Sequence, residues 1–153
     1  MTTEDEPKSV KDKNFLNCPC GRRDKAGRTL AYAQCCGRYV PAFQTTPAPD
    51  AEALMRSRYS AFVLEQSDYL LATWHQSQRP AELVLEPGVK WLGLEVKQHQ
   101  VIDADHAEVE FVARQRDHSG RAVRLHERSR FVREGGRWYY VDGDPRMAEQ
   151  GLP

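Results

Sequence analysis

The sequence lacks a surplus of either charge: 22 lysines and arginines stand against 22 aspartates and glutamates. Bulk electrostatics therefore give it no pull toward phosphate backbones, although a local basic patch stays open. It lacks a long apolar run near its start. Met1 to Asp12 is charged and carries nothing of signal-peptide or membrane-span length, so a cytoplasmic protein with no membrane partner is expected. It lacks internal repeats and low-complexity stretches. Cysteine is scarce, with four residues, and no Cys-x-x-Cys is among them, which argues against a dithiol redox centre. The five histidines show no His-x-x-x-His ligand spacing. What remains is an evenly charged chain, 40% hydrophobic, long enough at 153 residues for one domain with a short appendage.

The four cysteines are concentrated. Cys18-Pro19-Cys20 is followed by fourteen residues and then by Cys35-Cys36. A tetrahedral zinc ion takes four thiolates, and a small element supplies them by pairing two local clusters across a loop. Gly37, directly after the second pair, permits the turn that adjacent ligands need. The alternatives are one or two disulfides, or four buried small side chains. Bridges within either pair are geometrically awkward, and a reducing cytosol disfavours disulfides. The metal reading, with Zn2+ bound by Cys18, Cys20, Cys35 and Cys36, is preferred.

Composition divides the chain further. Residues 1–13 are charged and aperiodic, a flexible tail; 14–40 hold the cysteines; 41–49, with Pro41, Pro47 and Pro49, read as a linker. Residues 50–145 form the main domain and 146–153 a C-terminal tail. Asp50 is placed to N-cap a helix in which Ala51, Leu54, Met55, Tyr59, Phe62 and Val63 recur at spacings of three, four and seven. Arg56, Ser57 and Ser60 fall on its polar side. Ser67 is placed to cap a shorter helix running toward Trp74. From Trp91 the period becomes two: Leu92, Leu94 and Val96 alternate with Gly93, Glu95 and Lys97, and Val109 and Phe111 with Glu108 and Glu110. Two further runs, about 121–133 and 137–141, and short turn segments between them give a four-stranded antiparallel meander. Two helices and a meander bury their apolar faces economically only against each other, so the class is α+β.

Several motifs together carry a family resemblance. Cys18-Pro19-Cys20-Gly21 with Cys35-Cys36-Gly37 resembles the SEC-C zinc motif. With Ala53 to Phe62, Trp91-Leu92-Gly93-Leu94, His126 to Phe131 and Trp138 to Gly143, the chain is identified as a member of the YchJ-like family over Cys18 to Gly143. The resemblance implies a SEC-C-like zinc element joined to a nuclear transport factor 2-like (cystatin-like) cone of helices on a four-stranded sheet; it implies no known activity. The chain departs from the family in one place. About eight residues, including Gly-Ser-Gly-Lys, usually separate the cysteine pairs, and the longer loop here costs under about 1 kcal/mol in closure entropy. The ligands survive this change; the resemblance does not extend to a partner surface made by the usual loop.

Polar residues also appear on a face that should be apolar. Glu127 and Ser129 share the alternation of Val123, Leu125 and Phe131, and an unpaired buried carboxylate is costly. Arg56 or Arg58 is expected to pair with Glu127, holding its pKa low; His75 or cavity water are the other candidates. The cavity candidates are completed by Tyr59, Trp74, Trp91, Trp138 and Tyr140. They build either a site for acid–base work or an ordinary aromatic core around a structural ion pair, and the second is preferred. His106 and His118, in or beside turns, read as solvated. Arg22, Arg23, Lys25 and Arg28 make a basic loop, with Arg38 beyond it, that either contacts phosphate or an acidic surface, or is simply solvated.

The expectation is therefore a zinc-binding adaptor that docks a protein or ribonucleoprotein partner through its cysteine element. An enzyme or small-ligand receptor using the cavity is the alternative. A sealed, ion-paired interior favours the first; an open pocket with an unpaired Glu127 favours the second. The linker should make the cysteine element a separate cooperative unit, so that Cys36→Ser spares the main domain.

Overall fold

The computed structural model describes residues 16–144; the expected N-terminal tail (1–13) and C-terminal tail (146–153) lie outside the described residues. Helix α1, Ala51–Val63, begins where Asp50 Oδ1 accepts a hydrogen bond from the Ala53 amide at 2.7 Å, the expected cap. Helix α2, Ser67–Ala72, starts at Ser67 itself, so Ser67 is its first residue; the cap position is Gln66, without a side-chain cap bond. Four strands follow: β1 (Lys90–Asp103), β2 (His106–Arg116), β3 (Ala122–Glu134) and β4 (Arg137–Gly143), paired antiparallel in sequence order. The fold is α+β.

Register defines the inward rows of side chains. Leu94, Ala113 and Leu125 stand side by side, as do Val96, Phe111 and Glu127, and then His99, Val109, Ser129 and Gly143. β1 shifts register at Trp91/Gly93, Val96/Gln98 and Val101/Asp103. The first shift corrects the alternation read from sequence: Trp91 turns inward, and Leu92, expected inside, is 47% exposed. After α2 the chain forms a parallel bridge with β4, Trp74 beside Tyr140, in which the Tyr140 amide donates to Thr73 O and the His75 amide to Tyr140 O. That bridge fixes Trp74 against the sheet.

Helix α1 is buried nearly all round rather than amphipathic. Ala51, Leu54, Met55 and Tyr59 are buried, but so are Ser57, Arg58 and Ser60. A helix without a wet face has neighbours on both sides. One side is the sheet. The other is the cysteine element, whose Cys18, Cys20, Cys35 and Cys36 belong to the same core cluster as Ala51, Leu54 and Tyr59. The hydroxyls expected to face water are satisfied inside: Ser57 donates to Leu54 O at 2.8 Å and so accepts from Tyr69 OH at 2.7 Å, and Ser60 Oγ lies 3.5 Å from Cys18 Sγ. Residues 41–49, expected as a linker, run against the body: Ala48 is buried, and the Arg137 guanidinium donates to the carbonyls of Phe43 and Gln44. The cysteine element is thus packed into the main core rather than tethered beside it.

Candidate metal centre and internal cavity

The cysteine element is a local construction. The Gly21 amide donates to Cys18 O at 3.1 Å, closing a tight turn that Gly21 completes with a φ of 76°, in the left-handed region. Between the pairs the long loop is a small hairpin, with Asn17 opposite Ala31 and Arg23 opposite Thr29; Asp24 Oδ1 accepts from the amides of Ala26 and Arg28 at its tip. Cys35 and Cys36 sit where two 3-10 turns meet, Tyr32–Gln34 and Cys36–Arg38. Gly37 is required there for space rather than for a left-handed turn. A Cβ on it would lie 2.7 Å from Tyr32 O and 2.9 Å from the Tyr32 ring.

These turns bring the four Sγ atoms within 4.8 Å of one another. Cys20 Sγ and Cys35 Sγ are 3.6 Å apart, far beyond a disulfide bond and close to the roughly 3.8 Å edge of a tetrahedron with metal–sulfur distances of about 2.3 Å. All four are free thiols and buried. The donor set therefore fits a tetrahedral thiophilic ion, and the disulfide alternative falls. The thiols do not ionise alike. Cys18 is held well below the usual thiol range by hydrogen bonds from Cys20, Cys35 and Cys36. At Cys20 the bond to Cys18 pushes up, but those from Cys35 and Cys36 outweigh it, for a pKa of about 7. Cys35 and Cys36 are pushed up as the partners that keep their protons. Arg56 adds positive charge: its Nη1 donates to Cys20 O at 3.1 Å and reaches Cys20 Sγ at 3.9 Å, while its Nε is paired with Glu52 at 2.9 Å.

On the opposite side of α1 lies a cavity of about 240 Å³. Of the residues expected there, Arg58, Tyr59, Trp74, Trp91, Glu127, Ser129 and Tyr140 line it. Three do not. Arg56 is turned toward the metal centre; His75 pairs with Glu134 at 2.9 Å beside Tyr139; Trp138 lines a different pocket with Phe43 and Tyr69. Sequence reasoning missed Met55 and Phe62 from α1, Phe111, Ala113, Leu125 and Phe131 from the strands, and Leu83. The strand residues carried a signal in their alternation with Glu108, Glu110 and Arg124. Leu83, in an irregular segment, carried none.

The expected Glu127–arginine pair is not formed. Among the described residues Glu127 makes no salt bridge; its Oε2 accepts from Ser129 Oγ at 3.0 Å, and the carboxylate lies over Gly143, where any side chain would collide with it. Arg58 is 6% exposed and faces the rings of Tyr140 at 4.5 Å and Trp74 at 5.4 Å. Its Nη1 donates to Leu70 O and to Thr73 Oγ1, each at 2.7 Å. Burial pushes the Arg58 pKa down to about 10, which leaves it charged at neutral pH. Burial pushes the Glu127 carboxyl up, against the smaller opposing effects of Ser129 and Arg58, with Asp142 and Asp144 adding to the rise. This corrects the low value expected from an ion pair.

A raised folded-state pKa means that protonation favours the fold. Glu127 stabilises most below the ordinary carboxylate value of 4.5, and that contribution is lost as pH rises through the folded value. Glu127→Gln is therefore expected to be neutral or stabilising at pH 7, with its advantage over wild type shrinking toward pH 4. Urea unfolding of both proteins across this range reads the effect, and a marked loss of stability at pH 7 would restore the ion pair.

Comparison with known proteins follows from this architecture. A family model described as "YchJ, middle NTF2-like domain" matches residues 50–143, from the α1 cap to the end of β4. The chain belongs to the YchJ-like family. The resemblance carried by Cys18 to Gly143 is thereby borne out. Relatives of this YchJ-like chain include a UPF0225 protein of Polaromonas sp. strain JS666, 70% identical over 129 residues that cover 84% of this chain and 93% of the relative. A UPF0225 protein of Bordetella pertussis is 60% identical over 132 residues, covering 84% and 92%. Two solved structures of SEC-C motif containing proteins are similar. One, a crystal structure from Psychrobacter arcticus, has a TM-score of 0.71 at 31% identity, covering 84% of this chain and 82% of its own. The other, a solution structure from Rhodopseudomonas palustris, has a TM-score of 0.70 at 35% identity, covering 84% and 98%. Among the described residues no helix is long and apolar enough to cross a membrane.

Proposed function

We propose that this protein is a zinc-stabilised receptor for a small, largely apolar molecule, held in the cavity between α1 and the sheet. One observation carries the reading: Arg58 and Glu127 line the same cavity, yet no salt bridge joins them. A structural ion pair would consume both charges, whereas an unpaired carboxylate and guanidinium in an apolar pocket are what a binding site retains. The four cysteines serve structure. Zinc suits four buried thiolates because it is redox-inert and accepts tetrahedral sulfur, and free thiols suit the reducing cytoplasm. The experiment compares wild type with Ala113→Leu, which adds bulk at a cavity wall. Small molecules that co-purify with the wild type, identified by mass spectrometry after denaturation, should be lost from the filled variant. Equal recovery from both, or none from either, overturns the reading. Elemental analysis should give about one zinc per chain.

A second reading keeps the expected adaptor role, with a protein or ribonucleoprotein partner at the cysteine element. What favours it is the ordered hairpin between the cysteine pairs, which presents Arg22, Arg23, Lys25 and Arg28 on a fixed turn. Partner capture by metal-loaded protein that is lost on replacing these four side chains would support it.

A further inference from the structure

The cavity's two charged groups also constrain what fits between them. We infer that it takes a flat, uncharged heteroaromatic molecule whose edge carries a hydrogen-bond acceptor beside an N–H donor, the acceptor meeting Arg58 and the donor meeting Glu127. The inference rests on the receptor reading and names its ligand class.

Size comes first. At interior packing density, about 0.74, a cavity of about 240 Å³ accommodates roughly 180 Å³ of ligand, a bicyclic ring with small substituents. Shape follows from the walls. Tyr59 meets Trp91 edge-on at 5.5 Å, and Trp74 meets Tyr140 in the same manner at 5.4 Å, so rings line the cavity on both sides and favour a planar aromatic guest.

The polar groups then select the edge. Both Nη1 hydrogens of Arg58 are committed, one to Leu70 O and one to Thr73 Oγ1. Arg58 lines the cavity, and among the described residues no carboxylate forms a salt bridge with it. A guanidinium has five N–H donors, and those beyond Nη1 suit an acceptor on a ligand in the cavity. Glu127 is the complement: its Oε2 takes the Ser129 hydroxyl, no salt bridge neutralises it among the described residues, and its side chain lines the cavity. It calls for a donor. Charge decides the rest. A ligand carboxylate would satisfy Arg58 but meet the charge of Glu127, and an ammonium would satisfy Glu127 but meet that of Arg58. A neutral amide-like edge serves both and leaves the site's own opposite charges balanced. Burial already raises the proton affinity of Glu127, so a third charge in the cavity would be poorly screened.

Three bicyclic probes of similar outline separate the possibilities: quinolin-2(1H)-one, with a C=O beside an N–H; naphthalene, with neither; and 2-naphthoate, with a negative charge. Binding to the metal-loaded full chain at neutral pH is followed through the fluorescence of Trp74 and Trp91, which line the cavity. Quinolinone should bind at least about tenfold tighter than either other probe. Glu127→Leu should erase that preference while still binding naphthalene, which shows that the variant cavity remains folded. Tighter binding of naphthalene or naphthoate, or a quinolinone preference that survives Glu127→Leu, overturns the ligand class alone. Failure of all three probes to bind the wild type overturns the receptor reading with it.

Discussion

Cys36→Ser is expected to lower the main unfolding transition of the whole chain by at least about 10 °C, not merely to loosen a local loop. All four cysteines are at most 3% exposed, in one cluster with Ala51, Leu54 and Tyr59 of α1. Metal binding in such sites contributes roughly 10 to 16 kcal/mol of apparent free energy, comparable to the 5 to 15 kcal/mol that holds a typical domain together. Without the metal, the four buried sulfurs are left packed against α1 with no ion to hold them together. The helix loses the surface that covers one of its two sides. At about 2 to 4 °C per kcal/mol for a chain of this size, a loss of about 5 kcal/mol or more gives the stated shift. Chelation of the wild type should reproduce it. The check is a melt followed both by far-UV circular dichroism and by tryptophan fluorescence, since Trp74 and Trp91 lie on the far side of α1. An early minor transition followed by an unchanged main one would show two independent units and sink this expectation.

Arg58→Met should destabilise by about 2 to 4 kcal/mol, measured by urea unfolding at neutral pH. Two effects oppose each other. Methionine removes a buried charge, whose desolvation is visible in the lowered arginine pKa. It also removes two short charge-assisted bonds, each worth roughly 1.5 to 3 kcal/mol, and two cation–ring contacts. The bonds anchor the C-terminal end of α2: Arg58 holds Leu70 O and Thr73 Oγ1, and Thr73 Oγ1 in turn donates to Tyr69 O at 2.7 Å. Methionine leaves the Leu70 carbonyl without its strongest donor, so the bonds should win. Arg58→Lys should lose a comparable amount, because a single ammonium cannot hold both acceptors and lie flat against two rings. A methionine variant as stable as wild type would mean that desolvation cancels the network.

The parts of this molecule that sequence makes legible are those in which side-chain type and spacing decide the outcome alone. Four thiols in two tight pairs have one common geometry, and the cap at Asp50 and the inward position of Glu127 follow from local periodicity. The other features depend on what sits across a gap. Arg56 and Arg58 are two residues apart and therefore point to nearly opposite sides of a helix turning 3.6 residues per turn. One serves the cysteines and the other the cavity, and neither pairs with Glu127. Ser57 and Ser60 look like a wet face because hydroxyls usually are; here each finds a partner within reach, so the cysteine element can cover them. Proline-rich residues 41–49 suggest a spacer by composition, but Arg137, more than ninety residues away, supplies the guanidinium that pins them. The inward turn of Trp91 rests on a register shift that alternation cannot reveal.

The same shifts in β1 bear on how the molecule keeps apart from copies of itself. β1 is a terminal strand of the sheet, fourteen residues long, with Leu92, Val101 and Ile102 exposed along it. A straight strand of that length and composition would template growth by a second chain. Between its irregularities, however, only Gly93–Val96 and Gln98–Val101 run in regular register, four residues each. Either stretch is shorter than the five or six residues of an ordinary strand, and Glu95 and Lys97 place charge beside the break. A foreign strand could follow this edge for less than half its length before losing its hydrogen bonds, so the distortion that turns Trp91 into the cavity also guards the sheet against fibrillar association.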